Sequence, residues 1–361
     1  MASTRYAVGS PETVKLWSKA SDAVALPKTS LGRISGKGQN NIVCLKDEFK
    51  KSRGDSSDYF LRALPSGEGR TEGQTLEGNE EGLTYYKDTL MINQLRHAFR
   101  FEVENISDQR TLLETRMDAK NAGVEWSRDR FDDILFNHLC GYTPVESQAN
   151  PGTHNGHNSV VAYDANHTLR AGGLATDELV GADNTATFDV GLIDQAIERA
   201  KTQDIPLRPV NFGGQELYVC FLHPYQVTSL RSSSSTWFSQ MQNAMQGGMV
   251  NDNPIFTGAL GVYNGTVFIE NNRVKPGVVA AGTSAVANTR RAVLAGAQTC
   301  AMAFGRFGSE DPTRLKWIEE TFDYEEEVGM GIKFIMGLKR CVYNGETYGS
   351  IVIPTYAAPA S

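Results

Sequence analysis

The segment Pro65 to Gly82 constrains the fold more than any other part of this chain, because it holds five glycines and almost no apolar residue yet lies between two strand-like runs. Tyr59 to Leu64 leads into it and Leu83 to Phe101 leads out, which reads as a long hairpin with a polar tip. On the return side Leu95, His97, Phe99 and Phe101 fall on one face of a strand, with Arg96, Ala98 and Arg100 on the other. An isolated two-stranded ribbon is marginal in water, so this one must lie on something else. Glu77, Glu80 and Glu81 at the tip are therefore candidate contacts with another subunit, against the plainer reading of a loose loop. Gln94 and Arg96 are candidates for the same role, weighed equally against capping the core.

Charge sharpens this. Residues 1 to 62 carry eleven Lys or Arg against six acids, whereas 63 to 81 carry five Glu against one Arg, so a basic arm and an acidic loop could meet across subunits. The net charge of −7 argues against a protein whose main task is gripping nucleic acid through its phosphates. Cys44, Cys140, Cys220, Cys300 and Cys341 are widely spaced and form no metal-ligand pair, which fits a reducing cytoplasm. No apolar leader and no run long enough to span a bilayer is expected.

The rest reads as α+β. A short helix is predicted near Pro11 to Ala20 and a strand at Ile42 to Leu45. A long helix is predicted from an N-cap at Ser107 or Asp108 to Cys140, ended by Gly141, with Leu113, Met117, Val124, Phe131, Leu135 and Leu139 as its apolar stripe. Loops follow over 142–187, then a helix from Phe188 to Lys201, a buried strand from Leu217 to Leu222, and a helix from Pro224 toward Met245. Asn264-Gly265 marks a hairpin turn, and strand-like runs continue to Pro354. No period of 20 to 50 residues recurs, and there is no P-loop, GxSxG elbow, HExxH or strand-GxGxxG-helix unit.

Three site-like clusters each have a blander reading. His154 and His157, with His138, His167 and Asp164 nearby in sequence, could hold zinc in a metal-dependent hydrolase, but solvated loop histidines are favoured. Arg53-Gly54-Asp55 matches an adhesion tripeptide, as in a virion decoration or adhesion module, yet reads better as a turn. Glu319, Glu320, Asp323, Glu325, Glu326 and Glu327 could bind cations, though a solvated face is favoured. No catalytic residue, cofactor or metal site is assigned.

Several stretches carry a resemblance: Gln74 to Glu81; Ile92 to Ala98 followed by Ser107 to Arg110; Phe131 to Leu139; Asn253 to Gly261; and Tyr348 to Tyr356. Over most of its length the chain resembles the major capsid proteins of tailed bacteriophages of the short-tailed, large-virion-polymerase type. The resemblance implies the tailed-phage capsid fold: an N-terminal arm (1–41), an extended loop (42–104), and a peripheral domain (105–204) with spine helix 107–140 and a His-rich insert 150–187. An axial domain (205–340) and a C-terminal strand returning to the peripheral domain (341–361) complete it. It further implies a structural protein, not an enzyme, that self-assembles into hexamers and pentamers of an icosahedral head enclosing double-stranded DNA. The implied partners are other copies of itself, a portal, scaffold or decoration proteins, and packaged DNA by weak contact, with no membrane. Its place would be the virion capsid, and the host cytoplasm during assembly. The extended loop would lie across a neighbour's spine helix.

Overall fold

The structure, a computed structural model, describes residues 29–46, 54–63, 65, 67–102, 115–203, 205–212, 214–233, 259–305, 307, 314–323 and 327–359. The helix expected at Pro11 to Ala20, the N-cap at Ser107 or Asp108, and Leu113 lie outside the described residues.

Helix α1 (Ser30–Ile34) starts at Thr29, whose hydroxyl accepts a hydrogen bond from Gly32 N, and leads into β1 (Ser35–Gly36) and β2 (Val43–Lys46). Strands β3 (Ser56–Arg62) and β4 (Tyr85–Met91) pair antiparallel, and β5 (Asn93–Glu102) follows after the single residue Ile92. The spine helix α2 (Thr115–Leu139) is about 37 Å long at 1.5 Å per residue. It stops at Gly141, whose φ of 59° is the left-handed conformation expected of a residue just past a helix end.

Short helices α3 (Pro151–Asn155) and α4 (Asp177–Ala182) cross the His-rich stretch. Helix α5 (Val190–Thr202) begins at Asp189, whose carboxylate accepts from Leu192 N and satisfies a free helix-end donor. Next come β6 (Val210–Phe212), β7 (Gln215–Leu222), α6 (Pro224–Ser233), β8 (Ala259–Tyr263) and β9 (Thr266–Glu270). Asn264 and Gly265, both with positive φ, form the tight turn between β8 and β9 that the sequence pair indicated. The chain ends through β10 (Gly277–Val278), β11 (Ala285–Val286), β12 (Thr289–Ala295), β13 (Cys300–Phe304), β14 (Leu315–Phe322), β15 (Glu327–Arg340), β16 (Val342–Tyr343), β17 (Glu346–Thr347) and β18 (Ser350–Tyr356).

Four layers result. The first sheet is organised by the long strand β15, which carries β5 on one edge and β14 and then β13 on the other. Spine-helix residues Phe131, Ile134 and Leu135 pack on its Phe304, Trp317, Met330 and Phe334. The second sheet, ordered β18-β12-β7-β9-β8, meets the same helix from the other side through Val219, Phe221 and Val352, with the Phe136 and Phe221 rings 5.6 Å apart. Ile193, Ala196, Ile197 and Ala200 of α5 cover the far face of that sheet over Tyr218, Cys220 and Ile353. Strand β7 is thus buried on both faces, which is why it reads as a continuous apolar run.

Strands within 300–340 lie on the spine helix in the first sheet, and the closing strand β18 pairs with β12 in the second sheet. Helix α5 packs on the second sheet. One expectation is corrected. Met117, placed in the apolar stripe of the spine helix, is 41% exposed, because the helix is enclosed only over its C-terminal half. Both sheets draw on similar buried runs, so composition does not say which partner a strand takes.

The seam between the layers is polar. Arg291 donates to the carbonyls of Cys140 and Gly141 (3.1 and 3.0 Å), occupying acceptors that the spine helix leaves open at its end. Asp177 pairs with Arg291 (2.6 and 2.8 Å) and Arg170 (2.8 Å) and accepts from Val278 N. Burial favours the neutral acid, yet the two guanidiniums and the backbone donor outweigh it and hold Asp177 below its ordinary carboxylate value.

Candidate subunit-contact surfaces

The ribbon β3/β4 is anchored at its base by its own subunit. Asp88, only 7% exposed, accepts from Tyr59 Oη (2.8 Å), from Val342 N (3.2 Å) and from Lys339 Nζ. Burial, with Cys341 and Asp88 acting the same way, raises the Tyr59 pKa and keeps the phenol a donor. Asn158 brackets the ribbon's last residue, accepting from Met91 N and donating to Met91 O, both at 2.9 Å. Leu90 is sealed against Ala301, Ala303 and Cys341, and a Cβ at Gly337 would overlap the Met91 carbonyl. Strand β15 therefore needs glycine where the ribbon crosses it.

The return strand differs from expectation. Only Tyr85–Met91 returns along β3; beyond Ile92 the chain turns away, and Asn93–Glu102 pairs with Glu327–Met336 of β15. The predicted face was right, since His97 stacks on Trp126 of the spine helix with ring centroids 4.8 Å apart. Its neighbour was not, because pairing across more than 200 residues leaves no local signature.

Beyond the base, the tip from residue 67 to 84 is exposed throughout, including Leu76 (67%) and Leu83 (57%). Several of its hydrogen bonds join tip residues to one another: Glu81 accepts from Gly67 N (2.9 Å), Glu80 from Gly78 N (2.8 Å), and Arg70 donates to Asn79 (2.9 Å). Glu77 points to solvent beside them. The three glutamates thus sit together, two of them shaping the loop. Gln94 and Arg96 lie elsewhere, on the face of β5 turned away from the spine helix; both are exposed, so neither caps the core.

The other candidates disperse. His138 is buried against the Asn155 carbonyl (2.7 Å), His154 meets Arg130 (2.8 Å), and His167 pairs with Asp164 (2.6 Å), so the histidines serve separate contacts. Among the described residues no group of three or more His, Cys, Asp or Glu could hold a metal ion. Glu319 is a packing residue bonded to Arg116 (2.6 Å) and Trp317 Nε1 (2.7 Å), and Glu327 pairs with Arg100. Glu325, Glu326 and Arg53 lie outside the described residues, and the Asp55 carbonyl accepts from Ile92 N at 2.8 Å, closing the ribbon base. Sequence reading missed Asp88, Asn158 and Gly337; Gly337 in an otherwise apolar run was the one available signal.

Comparison with known proteins agrees with this architecture. The chain is 27% identical to the major capsid protein of Pseudomonas phage KPP25, over 98% of this chain and 97% of that one. The solved capsid of Ralstonia phage GP4 matches with a TM-score of 0.79 at 28% identity, covering all of both chains. The cyanophage Pam1 capsid subunit matches in fold, with a TM-score of 0.72 at 16% identity over 93% of this chain and 94% of that one. The family model described as phage capsid protein matches residues 5–358, and with it the chain belongs to that family: a major capsid protein of a phage, a structural component of the virion shell rather than an enzyme.

Proposed function

We propose that this subunit builds an icosahedral head by self-association into hexamers and pentamers around double-stranded DNA, with assembly in the host cytoplasm. The observation carrying this reading is the ribbon. Its base is bonded into its own subunit, while an eighteen-residue tip without a core of its own stands clear of it and offers Glu77, Glu80 and Glu81. Contacts that close under rotation make rings, and rings joined by symmetric contacts make cages. Each contact can be weak, since a subunit held by several neighbours leaves the lattice slowly.

Within the shell, the first sheet with the spine helix is assigned as the peripheral domain and the second sheet with α5 as the axial domain. A net charge of −7 suits a wall that contains DNA without gripping it. Portal and scaffold or decoration proteins complete the proposed set of partners. Negative-stain microscopy of the purified chain is the test: shells or shell fragments are expected, and a strictly monomeric protein at high concentration overturns the reading. Strong, salt-sensitive DNA binding by the free subunit in a filter assay would count against weak containment.

A further inference from the structure

A cavity of about 210 Å³ lies where the base of the ribbon meets the lobe of the second sheet. One wall is apolar, made by Leu61 of β3 and by Ile205 and Pro206 beyond the end of α5. Tyr343 and Tyr348 line it from the other side, their rings edge to face with centroids 5.6 Å apart.

Two side chains in the wall present acceptors without donors. His167 is only 6% exposed; its Nδ1 meets Asp164 Oδ2 at 2.6 Å, and the other carboxylate oxygen accepts from Thr347 N at 3.1 Å. Burial opposes ionisation of Asp164, yet His167 and the Thr347 amide outweigh it and hold the acid well below its ordinary carboxylate value. An ionised carboxylate only accepts, so Nδ1 carries the proton and the neutral ring keeps its lone pair on Nε2. That nitrogen has no partner among the described residues. Gln203 repeats the pattern: its amide nitrogen donates to Asn166 O at 2.6 Å, which fixes the amide's orientation and leaves Oε1 buried without a partner. Because Asn166 directly precedes His167, the two acceptors stand near each other.

Buried acceptors are nearly always paired in native proteins, so two bare ones beside a cavity point to a donor from outside. A water would supply one, but its share of volume is about 30 Å³ and it has nothing to bond along the Leu61, Ile205 and Pro206 wall. An anion is disfavoured, since Glu346 lines the cavity and, among the described residues, no Lys or Arg does. Aromatic rings and a carboxylate instead suit a cation.

We infer that this cavity binds a primary alkylammonium group, with its N–H donors on His167 Nε2 and Gln203 Oε1, its charge beside Glu346 and the tyrosines, and its stem along Leu61 and Ile205. The bound amine joins the base of the ribbon to the second-sheet lobe. Its source is either a free diamine or a lysine side chain of a second copy of the chain.

Calorimetric titration of the purified full chain with 1,4-diaminobutane, in mildly alkaline buffer, is the test. Saturable binding is expected, with a melting temperature raised by about 3–4 °C at a hundredfold excess over Kd. Tetramethylammonium, a cation without N–H donors, should not bind. Gln203→Leu and His167→Phe each remove one acceptor and should weaken binding by about tenfold. Gln203→Leu should also fold normally by circular dichroism, since Oε1 bonds nothing within the subunit. No saturable binding, equal binding of tetramethylammonium, or full affinity in folded Gln203→Leu overturns the inference; the tetramethylammonium comparison decides even if a variant fails to fold. Binding by dispersed subunits and by shells alike upholds it with a free amine as ligand. Binding by subunits but not by shells upholds it with a neighbour's lysine as the occupant.

Discussion

Replacing Asp88 by alanine should release the ribbon from the body while leaving the four layers folded. The carboxylate accepts from Tyr59 Oη, Val342 N and Lys339 Nζ, and only 18% of the Lys339 side chain is exposed. Removing one partner of a buried ion pair leaves the other charge uncompensated, at a cost of about 3–5 kcal/mol. With an unfolding entropy near 2.1 cal/mol/K per residue, 361 residues give roughly 0.76 kcal/mol/K, so melting should fall by about 4–7 °C if the loss is felt globally. If instead only the ribbon opens, the melt will move less and the loss will appear locally. Amide exchange of Ser57 to Leu61 and Tyr86 to Leu90 should then accelerate while the amides of the spine helix keep their protection. Replacing the pair together, Asp88→Leu with Lys339→Met, should recover most of the stability, since an apolar pair of similar volume avoids the stranded charge. A single Asp88→Ala variant with both a wild-type melt and wild-type ribbon exchange would refute the claim that this cluster fixes the ribbon.

Other outcomes follow from the same geometry. Asp177→Ala strands the buried Arg291 and the half-buried Arg170 and frees the spine helix end, and a loss of about 3–5 kcal/mol is expected in denaturant unfolding. A Cβ at Gly123 would collide with Ile332 Cδ1, so Gly123→Ala should destabilise by about 1–3 kcal/mol, and adding Ile332→Val should relieve it; no rescue in thermal melts would show that the helix shifts instead. His138 is fully buried, and burial chiefly, with Arg340 and Lys339, brings its pKa from 6.5 down to about 4 against the opposing Asn155 carbonyl. The unfolded chain therefore binds the proton more readily, so this contribution is complete above pH 6.5 and is lost as pH falls toward 4, by about 3 kcal/mol in all. A melting temperature that stays flat between pH 6.5 and 4.5, or one whose slope survives His138→Asn, would sink that assignment. Replacing residues 67–82 with an Asn-Gly turn should leave a folded subunit by circular dichroism that sediments without shells.

What was legible in the sequence was whatever the chain states locally. The helix expected from Phe188 to Lys201 is α5, Asn264-Gly265 announces the β8–β9 turn, and alternation from Leu95 to Phe101 announces which face of β5 meets the core. Pairings at long range were not legible: Asp88 meets Lys339 across 251 residues, and β5 meets β15 across more than 200. The candidate site divided the same way. Glu77, Glu80 and Glu81 were found because a polar tip without a core is a local fact, whereas the anchor at Asp88 exists only after β15 and β16 are laid beside the ribbon.

The division of the ribbon into an anchored base and a bare tip follows from what a shell subunit must do in order. It has to fold before it meets a neighbour, so the ribbon cannot depend entirely on a partner; Asp88, Asn158 and Leu90 meet that need inside the subunit. It must also not bind too early or in the wrong register, and a tip with several bonds closed on itself exposes charge rather than a large apolar patch to chance partners. Charge opposite charge then selects among possible contacts more than it strengthens any one of them. Stability comes from number, because a contact of modest strength, repeated around a shell, holds each subunit through several neighbours at once.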